Sequence, residues 1–215
     1  GQNNQGNNSV ALGPNAGTKF QSSTSVAIGN NSGNDNQGQN SVTIGSGAGQ
    51  KYQGNFSVAI GNSSGNDNQG ISSVAIGTSS GKTYQGTESV AIGEEAGQTN
   101  QGNQSIAIGK KAAQTNQHNN TIVLNAAQNT AVNTEGTERF YVNPIRDTTT
   151  TDSSMGIMQY NSTTKEITYN STLITSKGKV GIGTVDPIAS LYVHGDSYIS
   201  DATTLNSTLD VTEAA

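Results

Sequence analysis

The sequence predicts an all-β chain, a parallel β-roll of 16-residue coils that associates with copies of itself. Three observations lead there: a repeat that keeps register, strand-period alternation within it, and glycine columns that close each short strand. The pattern Ser-Val-Ala-Ile-Gly, with single substitutions, begins at Ser9, Ser25, Ser41, Ser57, Ser73 and Ser89. It continues as Ser105-Ile-Ala-Ile-Gly109 and ends as Thr121-Ile-Val-Leu-Asn125. Each start lies 16 residues after the last, with no insertion. Internal repeats of this regularity are the signature of solenoids, whereas disordered low-complexity chains do not hold such a register.

Within each coil the second and fourth places are aliphatic (Val26 and Ile28, Val58 and Ile60) and the third is small (Ala27, Ala59). This is the period of a strand with one face buried, and the larger residues are expected to form the core. The fifth place is Gly from Gly13 to Gly109 and then Asn125, which suggests a positive φ that ends the strand. Two more glycine columns run from Gly17 to Gly97 and from Gly38 to Gly102. The resulting order is strand, turn, strand, turn. About two large aliphatic side chains per coil, worth roughly 1.5–3 kcal/mol each when buried, are few against the backbone entropy of 16 ordered residues. A lone roll is therefore thinly supported. The alanines face away from the expected core and suit close approach by another copy, so a symmetric oligomer joined through the Ala face is expected.

Composition bounds the functions. The 215 residues are 30% hydrophobic and 12% charged, with 27 Gly and no Cys. Soluble domains average about half apolar and about a quarter charged. The net charge of -5 and the lack of any Lys/Arg cluster argue against nucleic-acid binding through phosphates. No apolar run approaches the ~20 residues of a membrane span, so no membrane insertion is expected within this segment. No Cys means no disulfides and no thiolate metal sites. Gly1, Gln5 and Gly6 already fall in the repeat columns. The chain thus opens in mid-coil, reads as a piece of something longer, and its lack of a secretory leader carries no information.

Two columns are candidates for more than folding. The thirteenth place is Gln in every coil: Gln5, Gln21, Gln37, Gln53, Gln69, Gln85, Gln101 and Gln117. Stacked amides in register can bond along a fibre, and structural support is favoured over ligand binding. The twelfth place alternates Asn4, Phe20, Asn36, Tyr52, Asn68, Tyr84, Asn100 and Asn116. Phe20, Tyr52 and Tyr84 recur every second coil, about 9.5 Å apart at ~4.8 Å per rung, a spacing at which they could stack on sugar rings. Packing along the roll or between chains is the favoured alternative.

The coils Ser-Val-Ala-Ile-Gly-x-x-Ala-Gly-x-x-x-Gln-Gly resemble the head repeats of YadA-like trimeric autotransporter adhesins, over about residues 1 to 127. The likeness implies a left-handed parallel β-roll, a homotrimer around a common axis and an extracellular setting. It departs in repeat length, since the bacterial heads repeat nearer 14 residues. The variant with Asn-Gln-Gly is more similar to fibre proteins of large DNA viruses and phages. Segments 113–125, Arg139 to Arg146, Gln159 to Tyr169 and Lys179 to Pro187 resemble the closing coil and following junctions of such fibres. The implied location is a virion surface or tail fibre, or a bacterial cell surface.

Three regions follow: 1–127, the β-roll; 128–176, a β-rich neck containing a hairpin; and 177–215, the start of a shaft or further β-repeat. Strands are expected over Phe140 to Ile145, Gly156 to Tyr160 and Lys165 to Tyr169, the last two joined at Asn161-Ser-Thr-Thr164. Val180 to Gly183 and Ser190 to His194 read as short strands around Asp186-Pro187. From Asp196 to Ala215 apolar and polar residues alternate (Tyr198, Leu205, Leu209, Val211), and the fibre is expected to continue.

Chemistry-bearing residues are sparse. His118 stands at the last repeat in place of Gly and reads as a cap. His194, at a strand end, could bind metal only if three copies met on an axis, and a structural role is favoured. Glu94 and Glu95 are neighbours, and on a strand they would point apart, a poor acid–base pair. Asp35 and Asp67 belong to a doubled repeat. Asn-x-Ser/Thr triplets at Asn7, Asn30, Asn55, Asn62, Asn103, Asn119, Asn161, Asn170 and Asn206 are expected by chance in this composition. No nucleophile elbow, phosphate loop or zinc spacing occurs. No cofactor and no enzymatic activity are expected. The function expected is a structural segment of a trimeric fibre that supports host or surface attachment, its partners being itself and a host glycan or receptor. The alternatives are a glycan-binding or glycan-degrading tailspike and, further off, an ice-binding solenoid, which a third column of Ala rather than Thr disfavours.

Overall fold

The computed structural model describes residues 3–127, 129–145, 157–160, 163–170, 174–175, 179–182 and 191–193. It forms two compact units, Gly1–Arg146 and Asp147–Ala215. Among the described residues there is no helix.

The first unit is a parallel β-solenoid of about nine turns. One sheet holds seven three-residue strands: β1 (Asn3–Gln5), β3 (Lys19–Gln21), β5 (Asp35–Gln37), β7 (Lys51–Gln53), β9 (Asp67–Gln69), β11 (Thr83–Gln85) and β13 (Thr99–Gln101). The other holds nine: β2 (Val10–Leu12), β4 (Val26–Ile28), β6 (Val42–Ile44), β8 (Val58–Ile60), β10 (Val74–Ile76), β12 (Val90–Ile92), β14 (Ile106–Ile108), β15 (Ile122–Asn125) and β16 (Phe140–Asn143). Every pairing in both sheets is parallel and in register, so Val58 aligns with Val74 and Gln69 with Gln85. The 16-residue period therefore becomes one rung per coil. β16 adds a rung beyond the eight repeats, aligning Phe140 with Ile122. The closing coil is 18 residues long rather than 16, and its Val132 and Tyr141 pack on the buried end of the roll.

The interior reverses one expectation. Ala27, Ala59, Ala75, Ala91 and Ala107 are fully buried, whereas the flanking Val and Ile side chains point outward and are half-buried or exposed. The core is built mainly of Ala, Ser, Gly and Gln: the first-place serines from Ser25 to Ser105 are fully buried, as are Ala48, Ser64, Ser80 and Ala96 at the eighth place. Two sheets joined by short turns within a 16-residue coil leave room between them mainly for small side chains, the largest at the third place being Thr43 and, in the last repeat, Val123, both fully buried. Alternation shows that a strand has two faces, and the thinness of the coil decides which face is inside. The Ala face is thus unavailable to another chain, and the expected docking through it is incorrect.

The glycines fit this closeness. A Cβ on Gly61, at φ +128°, would lie 2.7 Å from the carbonyl oxygen of Gly77 in the next coil. The fifth column therefore needs Gly for stacking as well as for φ. Asn125 ends that column differently, as the last residue of β15 in extended backbone. Its amide donates to Lys110 O and Thr130 O, so the inference that Asn there marks a left-handed turn does not hold.

The second unit contains an antiparallel pair, β17 (Ile157–Tyr160) with β18 (Ile167–Asn170), matching Met158 with Tyr169. This is the hairpin expected across residues 161–164. β19 (Ile174–Thr175) pairs antiparallel with β20 (Lys179–Ile182), which pairs parallel with β21 (Leu191–Val193). Asp186-Pro187, His194, Asn161, Asn206 and the stretch 196–215 lie outside the described residues.

Candidate functional surfaces

The glutamine column is internal. Gln21, Gln37, Gln53, Gln69, Gln85, Gln101 and Gln117 are all nearly fully buried, while Gln5, in the first rung, is exposed. Their amides do not chain to one another along the fibre axis. Gln69 Nε2 donates to Val58 O at 2.8 Å, Gln85 Nε2 to Val74 O at 2.8 Å and Gln101 Nε2 to Val90 O at 2.8 Å. Each bond crosses the roll within one coil and ties the seven-stranded sheet to the nine-stranded one. The ladder of stacked amides expected along the axis is replaced by a set of transverse ties. Ser41 and Ser89 donate to the Oε1 atoms of Gln53 and Gln101 at 3.0 and 3.5 Å. The ninth-place glycines leave room for these amides: a Cβ on Gly65 would lie 2.7 Å from Gln69 Oε1. Gln can be buried here because its amide reaches strand carbonyls across the coil and donates to them.

The turn asparagines carry more than their sequence pattern suggested. Asn55 Oδ1 accepts from Gln39 N at 2.9 Å, Asn103 Oδ1 from Thr87 N at 2.9 Å and Asn119 Oδ1 from Asn103 N at 2.8 Å. These side chains stitch neighbouring coils at the fifteenth place. Sequence reasoning saw them only as chance glycosylation triplets, although their recurrence in one column was a readable signal.

Two outer faces remain. On the nine-stranded sheet an aliphatic pair projects from every rung, ending in Phe140 and Val142. Ile44, Ile92, Ile108 and Leu124 are between 36% and 40% exposed. Eight rung steps at ~4.8 Å make this apolar face about 38 Å long, and a continuous exposed apolar strip is the kind of feature that marks an interaction surface. On the seven-stranded sheet Phe20, Tyr52 and Tyr84 are 56%, 55% and 58% exposed. Their φ values are 53°, 52° and 55°, in the left-handed region. The middle residue of each short strand is thereby turned outward while its neighbours pair.

Charged residues support the coil stack. Lys19 lies 3.8 Å from Asp35, and the eleventh place alternates Lys19, Asp35, Lys51 and Asp67 in register. Glu94 and Glu95 sit in a turn rather than on a strand and pair with Lys110 at 3.1 Å and Lys111 at 3.8 Å. His118 N donates to Thr134 Oγ1 at 2.8 Å, and its Nδ1 lies 2.8 Å from the same oxygen, joining the last repeat to the closing coil. Among the described residues no group of three or more His, Cys, Asp or Glu is arranged to hold a metal ion. No helix among them is long and apolar enough to cross a membrane.

Residues 5–32 match the YadA head domain repeat in two copies. The later coils keep the same columns through Asn125, so they continue the pattern of the two coils that match. No curated protein and no solved structure matches the chain.

Proposed function

We propose that the chain is a non-catalytic structural segment of a homotrimeric surface fibre, exposed outside the cell or virion that bears it, which supports attachment to a host or other surface. The observation that carries this reading is the unbroken aliphatic face of the nine-stranded sheet. A face of half-exposed Val and Ile gains roughly 25 cal/mol for each Å² of apolar area removed from water, and a second copy presents the same face at the same rung spacing. Trimers around a common axis are implied by the likeness to YadA-like heads; the residues that would meet at that axis are the aliphatic pairs, not the alanines.

Sedimentation at equilibrium tests the assembly. The expected mass is three times the 22.0 kDa chain, and a persistent 22.0 kDa species would refute it. Ile60→Glu with Ile76→Glu is expected to yield monomers with strand content unchanged by circular dichroism. Surface location is checked by antibody labelling of intact particles or cells, where labelling only after lysis counts against it. Incubation with host polysaccharide should release no fragments; release would favour the degrading tailspike.

A further inference from the structure

The twelfth column holds two kinds of residue in one backbone conformation. Asn36, Asn68 and Asn100 have φ values of 57°, 58° and 54°, and Phe20, Tyr52 and Tyr84 have 53°, 52° and 55°. Asn is among the residues most at ease in that region, while a bulky side chain there is a genuine outlier. Folding alone would favour Asn in every coil. The aromatic residues stand where the backbone least favours them, more than half exposed. They are held in line by parallel register, since Lys19 aligns with Asp35, Asp35 with Lys51 and Lys51 with Asp67.

From this we infer that Phe20, Tyr52 and Tyr84 form a binding track for an extended, linear β-linked polysaccharide. Three features point to that ligand. The rings recur every two rungs, about 9.5 Å, a step comparable to two sugar units of an extended chain, so alternate sugars can lay a C–H face on successive rings. Between the rings lie Asn36 and Asn68, whose amides donate to Asp35 and Asp67 at 3.0 and 2.9 Å and keep carbonyl oxygens free for sugar hydroxyls. The lysines and aspartates beside the column alternate in sign, which suits a neutral hydroxylated chain better than a polyanion. The track also lies on the sheet opposite the aliphatic face, so assembly through that face leaves it open. The inference deepens the attachment reading and rests on it for its biological setting, but the site is complete within one chain.

The test uses affinity electrophoresis of the whole chain in gels containing hydroxyethyl cellulose or glycol chitin, with dextran as the α-linked control. Phe20→Asn, Tyr52→Asn and Tyr84→Asn together supply the residue that the intervening coils already use, so folding is preserved, as a thermal melt on the same sample verifies. Retardation by at least one β-linked polymer but not by dextran, weakened at least about tenfold in the triple variant, is the expected result. Equal retardation of both proteins, or none for the native chain in any gel, overturns the inference. Loss of self-association in the triple variant would identify the track as a contact between copies and overturn it as well. Sedimentation of the same preparation separates the two readings: a trimer that ignores every glycan sinks the track alone, and a monomer that binds glycan sinks the trimer alone.

Discussion

At the scale of single residues, two glycine columns look alike in sequence and differ in what they touch. Gly77 has φ +124° and its Cβ would press on the backbone oxygen of Gly93 at 2.7 Å, whereas Gly65 has φ +50° and its Cβ would meet the side-chain amide of Gln69. A side chain can give way more easily than a stacked backbone, and Ala113 already occupies the ninth column at φ 46° in the last repeat. Gly77→Ala is therefore expected to lower the denaturant midpoint more than Gly65→Ala, which should cost about 1–2 kcal/mol; the reverse order in urea unfolding would contradict the stacking account. Gln69→Ala removes the cross-coil bond to Val58 O and is expected to cost about 1–3 kcal/mol in the same assay. The need for a conserved amide at the thirteenth place was readable from the repeat. Its partner was not, because the bond runs to a carbonyl eleven residues earlier in the chain, a separation that becomes short only once the coil has closed.

At the scale of the strand, β10 carries both sides of the argument. Ala75 is fully buried and Val74 and Ile76 point outward. Ala75→Leu overfills the interior and should destabilise the chain by about 1–3 kcal/mol at any protein concentration. Ile76→Thr removes apolar area from the outer face, and its effect on the melting temperature is expected to depend on concentration, since association linkage does. Melts recorded over a hundredfold dilution series distinguish the two; a concentration-dependent effect of Ala75→Leu would place the alanines at an interface after all. The existence, length and register of these strands were plain from the alternation and from the glycines that end them. Which face was inward was not. Both faces are apolar, and residue size alone selects the wrong one.

At the scale of the whole roll, each coil bonds only to its neighbours, so stability is close to a sum over coils and their contacts. Deleting residues 57–72 joins Phe56 to Ser73 and keeps every column aligned. That variant is expected to retain its strand signal in circular dichroism with a modestly lower melting temperature. Deleting residues 57–64 instead brings Gly65 into a serine column and should abolish the roll; equal tolerance of both deletions would be incompatible with a 16-residue rung. The closing coil matters at the same scale, because Val132, Tyr141 and the Thr134 contact with His118 cover the last repeat.

The repeat by itself determined that this chain is a parallel solenoid, that its coil has 16 residues, that two strands and two turns make up each coil, and that aromatic residues recur on every second rung. Those follow from local rules: alternation, turn chemistry and a period that never slips. The tertiary structure alone decided that the alanines, serines and glutamines are the core and that the valines and isoleucines are the outer face. It also showed that the aromatics are held outward in left-handed backbone and that the turn asparagines join coil to coil. The physical reason is the distance between the two sheets. It is set by closing a coil of this length, and it favours small side chains and the flat amide of Gln, with Thr43 and Val123 the largest third-place residues buried in the repeats.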